Sequence, residues 1–317
     1  MADEFRVFSW TILFLVFLFV NVATCQDALA PEAGDGKRRS LVPAMFIFRD
    51  SLIDNGNNNN NLPSFAKANY FPYGIDFDGG PTGRFSNGYT MVDELVGRIQ
   101  SNQQIKNFEN TLDEITDNLG APDVAQVLAK CMFFVGVGNN DYLNNYLMPN
   151  YDTKNRYNGQ HYANLLVQQY TQQLTRLYNL GAREFVIGGV GLMGCIPSIL
   201  VQSNSNLCSE EVSQLVLPFS INVKSMLNNL NANLPVLNSP TLTLATCSKI
   251  SSPVTDDMKQ RTNNMSANSN TFPNRNQYIF WDDFPPTEAV NILFVRKAFN
   301  GGPDVVYPNN MQQLASL

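Results

Sequence analysis

The chain holds a single histidine, His161, among 317 residues, and no CxxC pair or histidine cluster. A zinc site of the usual nitrogen and sulfur ligands therefore has no ligand set, and neither a metal nor any other cofactor is expected. Positive charge is scarce as well. Lys and Arg number 21 against 27 Asp and Glu, the net charge is −6, and no block of basic residues forms a stripe. A duplex or polyphosphate partner would be repelled, so nucleic acid is not an expected partner. Only 15% of the residues are charged, while 44% are hydrophobic and 11% aromatic, which argues against a disordered chain and suffices for a sizeable core. Two average domains would fit this length, but α/β enzymes often use it for one.

A hydrophobic run of membrane-spanning length is also missing. Trp10–Val20 is apolar but too short and too near the start for a spanning helix. Ala23-Thr24-Cys25 and Ala28-Leu29-Ala30 follow it as cleavage sites. This is the pattern of a secretory signal peptide over residues 1–25, with cleavage as late as 30, and its n-region is weak because Asp3 and Glu4 oppose Arg6. Residues 31–40 read as a linker and 41–317 as one domain, secreted, monomeric and without a stable membrane anchor after cleavage. Export brings an oxidising compartment. Of five cysteines, Cys25 leaves with the signal or lies at its edge. Cys195 and Cys208 are the expected pair, because they are close in sequence, and Cys131 and Cys247 stay unassigned. Asn264-Met265-Ser266 is the single glycosylation sequon, in an exposed-looking polar stretch.

Ala44–Phe48, Met132–Val137 and Glu184–Val190 are short apolar runs suited to strands buried on both faces. Helices are expected over Tyr89–Ile99, His161–Leu180 and Phe219–Leu230, with Gly181 as a C-cap and Pro218 in a first turn. Tyr278–Trp281 reads as the last strand, followed by a helix near Thr287, a plausible N-cap with Glu288 in the first turn. Strand and helix alternate, which means a parallel sheet with helices on its faces. Pro72–Asn87, "PYGIDFDGGPTGRFSN", has the composition of an ordered loop, too aromatic for a linker, whereas Asn55–Asn61 taken alone is a polar, Asn-rich loop. Ser248–Asn276 shows little apolar periodicity.

In open α/β sheets reactive groups gather at the carboxyl ends of the strands. Asp50-Ser51, Gly138–Asp141 and Asp282 fall there. A serine, an asparagine and a carboxylate suit acyl transfer: the serine attacks, the amide helps hold the oxyanion, and the acid orients a base. "FIFRDSLIDNGNNN", "ANYFPYGIDFDGGPTGRFSNGYTMVDEL", "FVGVGNNDYLNNYLMP", "YNLGAREFVIGGVGLMGCIPS" and "NQYIFWDDFPPTEAVN" together resemble the plant GDSL-type esterase/lipases of the SGNH hydrolase superfamily. The resemblance covers most of 41–246 and 273–300. It implies a flavodoxin-like α/β/α sandwich around a parallel sheet, and lipid or other acyl-ester substrates, including cell-wall and cuticle esters, in the apoplast or cell wall. It also implies Ser51 as nucleophile and oxyanion N–H donor, Asn140 as a second oxyanion donor and Asp282 as the triad acid, with Asp50, Gly138 and Asp141 as supporting motif residues.

The departures from the family pattern are specific. Pro285 stands where the family's Asp-x-x-His-Pro signature has its general base. Proline cannot accept a proton, and losing the base alone costs on the order of 10⁶ in kcat in a serine hydrolase. His161 matches no catalytic position of the family. Asp283 is a conceivable surrogate but, at an ordinary carboxylate pKa near 4, a poor base for an alcohol. The family's second block, whose glycine N–H completes the oxyanion hole, is absent between Ile99 and Asn102. One lost donor costs ~10²–10³ in rate, and part of the sheet is expected to go with the block. Arg49 replaces the glycine that permits a tight turn before the serine. The chain departs again after Leu234, where "LTLATCSK" is expected to be a remnant strand at most. Three readings follow: a working ester hydrolase, a catalytically silent binding protein of the same fold, and a truncated gene product. Loss of turnover is the favoured expectation.

Overall fold

The computed structural model describes residues 41–49, 67–90, 101–191, 193–201, 208–234, 242–245, 271, 274–275 and 278–316. Asp50, Ser51, the Asn55–Asn61 run, the expected signal peptide and linker, residues 91–99 of the expected helix, Cys25, Cys247 and Asn264 lie outside the described residues.

Strands β1 (Met45–Arg49), β2 (Met132–Gly136), β3 (Glu184–Gly188) and β4 (Leu242–Ala245) lie side by side in that order and run parallel. Two residues, β5 (Val306–Tyr307), pair antiparallel with β4. Strand 2 of the flavodoxin order 2-1-3-4-5 lies at the edge, and removing it leaves the order seen in the four parallel strands. Among the described residues, β1 is an edge strand.

Alternate residues of a strand point to opposite faces, and both faces of this sheet are covered. Phe48, Phe133, Val135, Phe185 and Ile187 pack against α1 (Ser101–Leu119), α2 (Ala121–Leu128), α3 (Gly159–Asn179) and α4 (Glu210–Asn233). Ile47, Met132, Phe134 and Val186 turn the other way, onto α5 (Glu288–Asn300) and α6 (Met311–Leu314). The result is an α/β/α sandwich, as the resemblance implies. Phe133 is its aromatic hub, fully buried, with ring centroids 5.0 Å from Phe46, 5.7 Å from Phe108 and 5.6 Å from Phe185. Removing such a ring from a core costs about 3–5 kcal/mol.

Several boundaries differ from the sequence reading. Helix α1 has no counterpart in it; the mostly polar stretch folds because Ile105, Phe108 and Leu112 share one buried face. Helix α4 starts nine residues before Phe219, capped by the Ser209 side chain, which accepts from Val212 N–H, with Glu210 and Glu211 favourably placed in the first turn. Pro218 thus sits in the helix interior rather than its first turn. Interior proline costs ~3 kcal/mol, but Val216, Phe219, Val223, Leu227 and Leu230 bury one continuous stripe across it, each worth about 1.5–3 kcal/mol. Tyr278–Trp281 is not a strand; a lone bridge joins Phe280 to Pro286, because the two prolines fold the segment back on itself. The fourth strand of the sheet is instead Leu242–Ala245, within the stretch expected to be a remnant.

Cys195 and Cys208 form the expected disulfide, and Cys131 is a buried free thiol pushed up to about 11 by burial.

Candidate active site

The parallel register aligns Arg49, Gly136, Gly188 and Ala245 in one row at the carboxyl edge of the sheet. The segments that follow these residues are where the candidate chemistry was expected. After β2 the chain turns at Gly138, whose φ of 113° is unfavourable for any residue with a Cβ. A Cβ there would also lie 3.0 Å from the Phe219 ring and 3.1 Å from Val190. The turn delivers Asn139 and Asn140 into a short helix that runs on as a π-helical turn, Tyr142–Tyr146. Asn139 is buried, and its Oδ1 accepts from Gly191 N–H at 3.4 Å, joining the loop after β2 to the loop after β3. Asn140 is partly buried, and its Oδ1 accepts from Asn144 Nδ2 at 3.1 Å. That bond orients the side chain with its amide nitrogen on the other branch, the group an oxyanion donor needs. The backbone carbonyl of Asp141 accepts from the Tyr162 hydroxyl at 3.0 Å.

Asp282 lies on a tight turn rather than at a strand end. Trp281 N–H donates to the Pro285 carbonyl at 2.9 Å, and Thr287 N–H donates to Ile279 O at 2.9 Å. Pro285 is buried within this turn. The Asp282 carboxylate has two donors: Phe284 N–H at 3.1 Å on Oδ1 and the Tyr73 hydroxyl on Oδ2. Burial pushes Asp282 up to about 6 against those two bonds. Its neighbour Asp283 is pushed up to about 7, by burial first and by the Asp282 charge second. Asp283 Oδ1 is buried without a hydrogen-bond partner, and its backbone carbonyl accepts from Ser198 N–H at 3.1 Å.

The loop 67–90 clamps this turn. Asp76 makes a two-point ion pair with Arg275. Asn87, fully buried, donates to Asp76 Oδ2 at 2.8 Å and accepts from Glu288 N–H at 2.9 Å. The start of α5 is thus capped by a residue 201 positions away, while Thr287, in the N-cap place, turns its hydroxyl to the Tyr278 carbonyl. Asn291 Nδ2 reaches the Tyr89 carbonyl at 3.1 Å. Tyr73 and Asn87 carry no catalytic motif of their own in the sequence. The signal that points to them is the high aromatic and glycine content of 72–87, the composition of an ordered loop.

His161 does not join this group. It occupies the exposed first turn of α3, its N–H bonded to Asn158 Oδ1 at 2.9 Å and its ring edge-on to Tyr157. Among the described residues, no cluster of three or more His, Cys, Asp or Glu is placed to hold a metal ion, and no helix is long and apolar enough to cross a membrane.

A model of the GDSL-like Lipase/Acylhydrolase family matches residues 45–297. The chain belongs to this family. GDSL relatives from Arabidopsis thaliana include GDSL esterase/lipase At1g71691, 49% identical over 90% of this chain and 88% of the relative. GDSL esterase/lipase At5g45670 is 35% identical over 96% and 99%, and GDSL esterase/lipase 7 is 34% identical over 90% and 96%. The match to the first extends over 344 aligned positions, more than the 317 residues of this chain, so that relative has internal segments this GDSL chain lacks. The strand order of the sheet has the same character: among the described residues, the parent order lacks its outer strand.

Proposed function

We propose that this chain is a secreted GDSL-family protein that binds carboxylic esters of lipid or acyl type but does not turn them over by the serine–histidine route. Ser51 stands in the nucleophile position, Asn140 in an oxyanion-donor position, Asp282 in the position of the triad acid and Pro285 in that of the base. The supporting observation is the state of Asp282. Both of its oxygens are engaged by donors of the protein, Tyr73 O–H and Phe284 N–H, and the residue in the base position is a buried proline whose carbonyl closes a turn. A proline in the base position offers no imidazole to take the serine proton, and a serine hydroxyl is a weak nucleophile without an adjacent base.

The test is direct. The wild-type chain and Ser51→Ala are incubated with a fluorophosphonate probe, a short-chain chromogenic ester and a fluorescent long-chain acyl ester. Expected are no labelling, equal background hydrolysis by both proteins, and recovery of the long-chain ester bound but intact. Hydrolysis that disappears in Ser51→Ala overturns the silent reading; failure to retain the ester overturns the binding one. The internal segments present in the Arabidopsis relative favour a second reading, a product of a transcript that has lost exons. Transcripts sequenced across 99–102 and 234–273 decide it: a longer message that restores a histidine codon makes this chain a fragment of an ordinary enzyme.

A further inference from the structure

We propose that Tyr73 is a positioning residue of this site: its hydroxyl holds the carboxylate of Asp282 and so joins the 278–287 turn to the 67–90 loop. The inference rests on the reading of Asp282 as the family's acid position. The Tyr73 ring is buried and fixed edge-on between Tyr70, at 5.3 Å, and Phe85, at 5.8 Å, in a small cluster that also holds Ala68 and Trp281. A phenol held on two sides cannot swing away, so its proton stays directed at Asp282 Oδ2. Among the described residues, the titratable groups acting with Asp282 include Tyr70 and Tyr73 from the loop and Asp283 from the same turn, and none of these three brings positive charge. Without the Tyr73 proton, the Asp282 carboxylate would be left with one backbone donor in a buried setting beside another carboxylate. The phenol therefore takes the place of an imidazole N–H on the acid: it donates a hydrogen bond to the carboxylate and holds it in position. It cannot accept the serine proton in return, because burial and the Asp282 charge push its own ionisation far above the usual tyrosine range.

The experiment is a carboxyl-carbon NMR titration of the full chain labelled at aspartate, with the Asp282 signal assigned by its loss in Asp282→Asn. In Tyr73→Phe the Asp282 midpoint is expected to rise by about one pH unit, a tenfold gain in proton affinity, because a hydrogen bond to the ionised form is gone. Phe85→Leu loosens the packing around Tyr73 but keeps its hydroxyl; it should lower the thermal midpoint and leave the Asp282 titration in place. A Tyr73→Phe midpoint that stays or falls, or an equal rise in Phe85→Leu, overturns the proposal. A reciprocal measurement covers the case in which Tyr73→Phe folds badly: in Asp282→Asn the Tyr73 phenol should ionise at lower pH than in wild type, and no change refutes the pairing. Neither readout uses hydrolysis. An active wild type would sink the silent reading and leave this one standing.

Discussion

Asp283→Asn tests the electrostatics of the acid turn without touching a family site position. In the folded chain Asp283 titrates near 7 instead of near 3.8, because burial and the adjacent Asp282 charge disfavour its ionised form. A group whose folded pKa is raised binds its proton more tightly in the folded than in the unfolded state. Its contribution to stability is complete below about pH 4 and is lost as pH rises through about 7. The shift is about three units, and at ~1.4 kcal/mol per unit the loss at pH 8 would be at most ~4 kcal/mol. Asp283 is only partly buried and is coupled to Asp282, so solvent screening reduces this to roughly 2 kcal/mol. Asparagine has nearly the same shape and no charge to bury. Urea unfolding of both proteins from pH 4 to pH 8 should show similar stability at pH 4 and an advantage for Asp283→Asn that grows between about pH 4 and pH 7 and then levels off. A difference that does not vary with pH, or a wild type that is the more stable at pH 8, refutes the reasoning.

Two further substitutions probe the clamp and the loop after β2. Asn87→Ala removes the non-local cap of α5 and a buried bond to Asp76, and should cost about 2–3 kcal/mol in urea unfolding, whereas Asn87→Asp, which keeps the acceptor for Glu288 N–H, should recover part of it. Gly138→Ala places a methyl group against Phe219 and Val190 at a φ of 113°, and should destabilise the chain by about 2–4 kcal/mol; a loss below 1 kcal/mol would mean that this turn relaxes easily.

The chain's own residues carry much of this description. Unbroken apolar runs at Met45–Phe48, Met132–Val135 and Phe185–Ile187 specify strands with two buried faces, and the Leu/Tyr periodicity of 161–180 specifies a helix, since burial pattern and local periodicity are written directly in sequence. The identity of Pro285 is legible in the same way: a proline has no side-chain proton acceptor wherever it lies. Other features depend on residues far apart in the chain. The interior Pro218 is tolerated because helix packing outweighs its local cost, which no window of neighbouring residues reveals. Asp282 looked like a strand end, and only the closure of Trp281 onto Pro285 makes it a turn. Its partner, Tyr73, lies 209 positions away, as Asn87 lies 201 from the helix it caps. Sequence determined which reactive groups this protein possesses. The tertiary structure alone decided which donors satisfy Asp282, because burial and hydrogen-bond geometry arise only when distant segments meet.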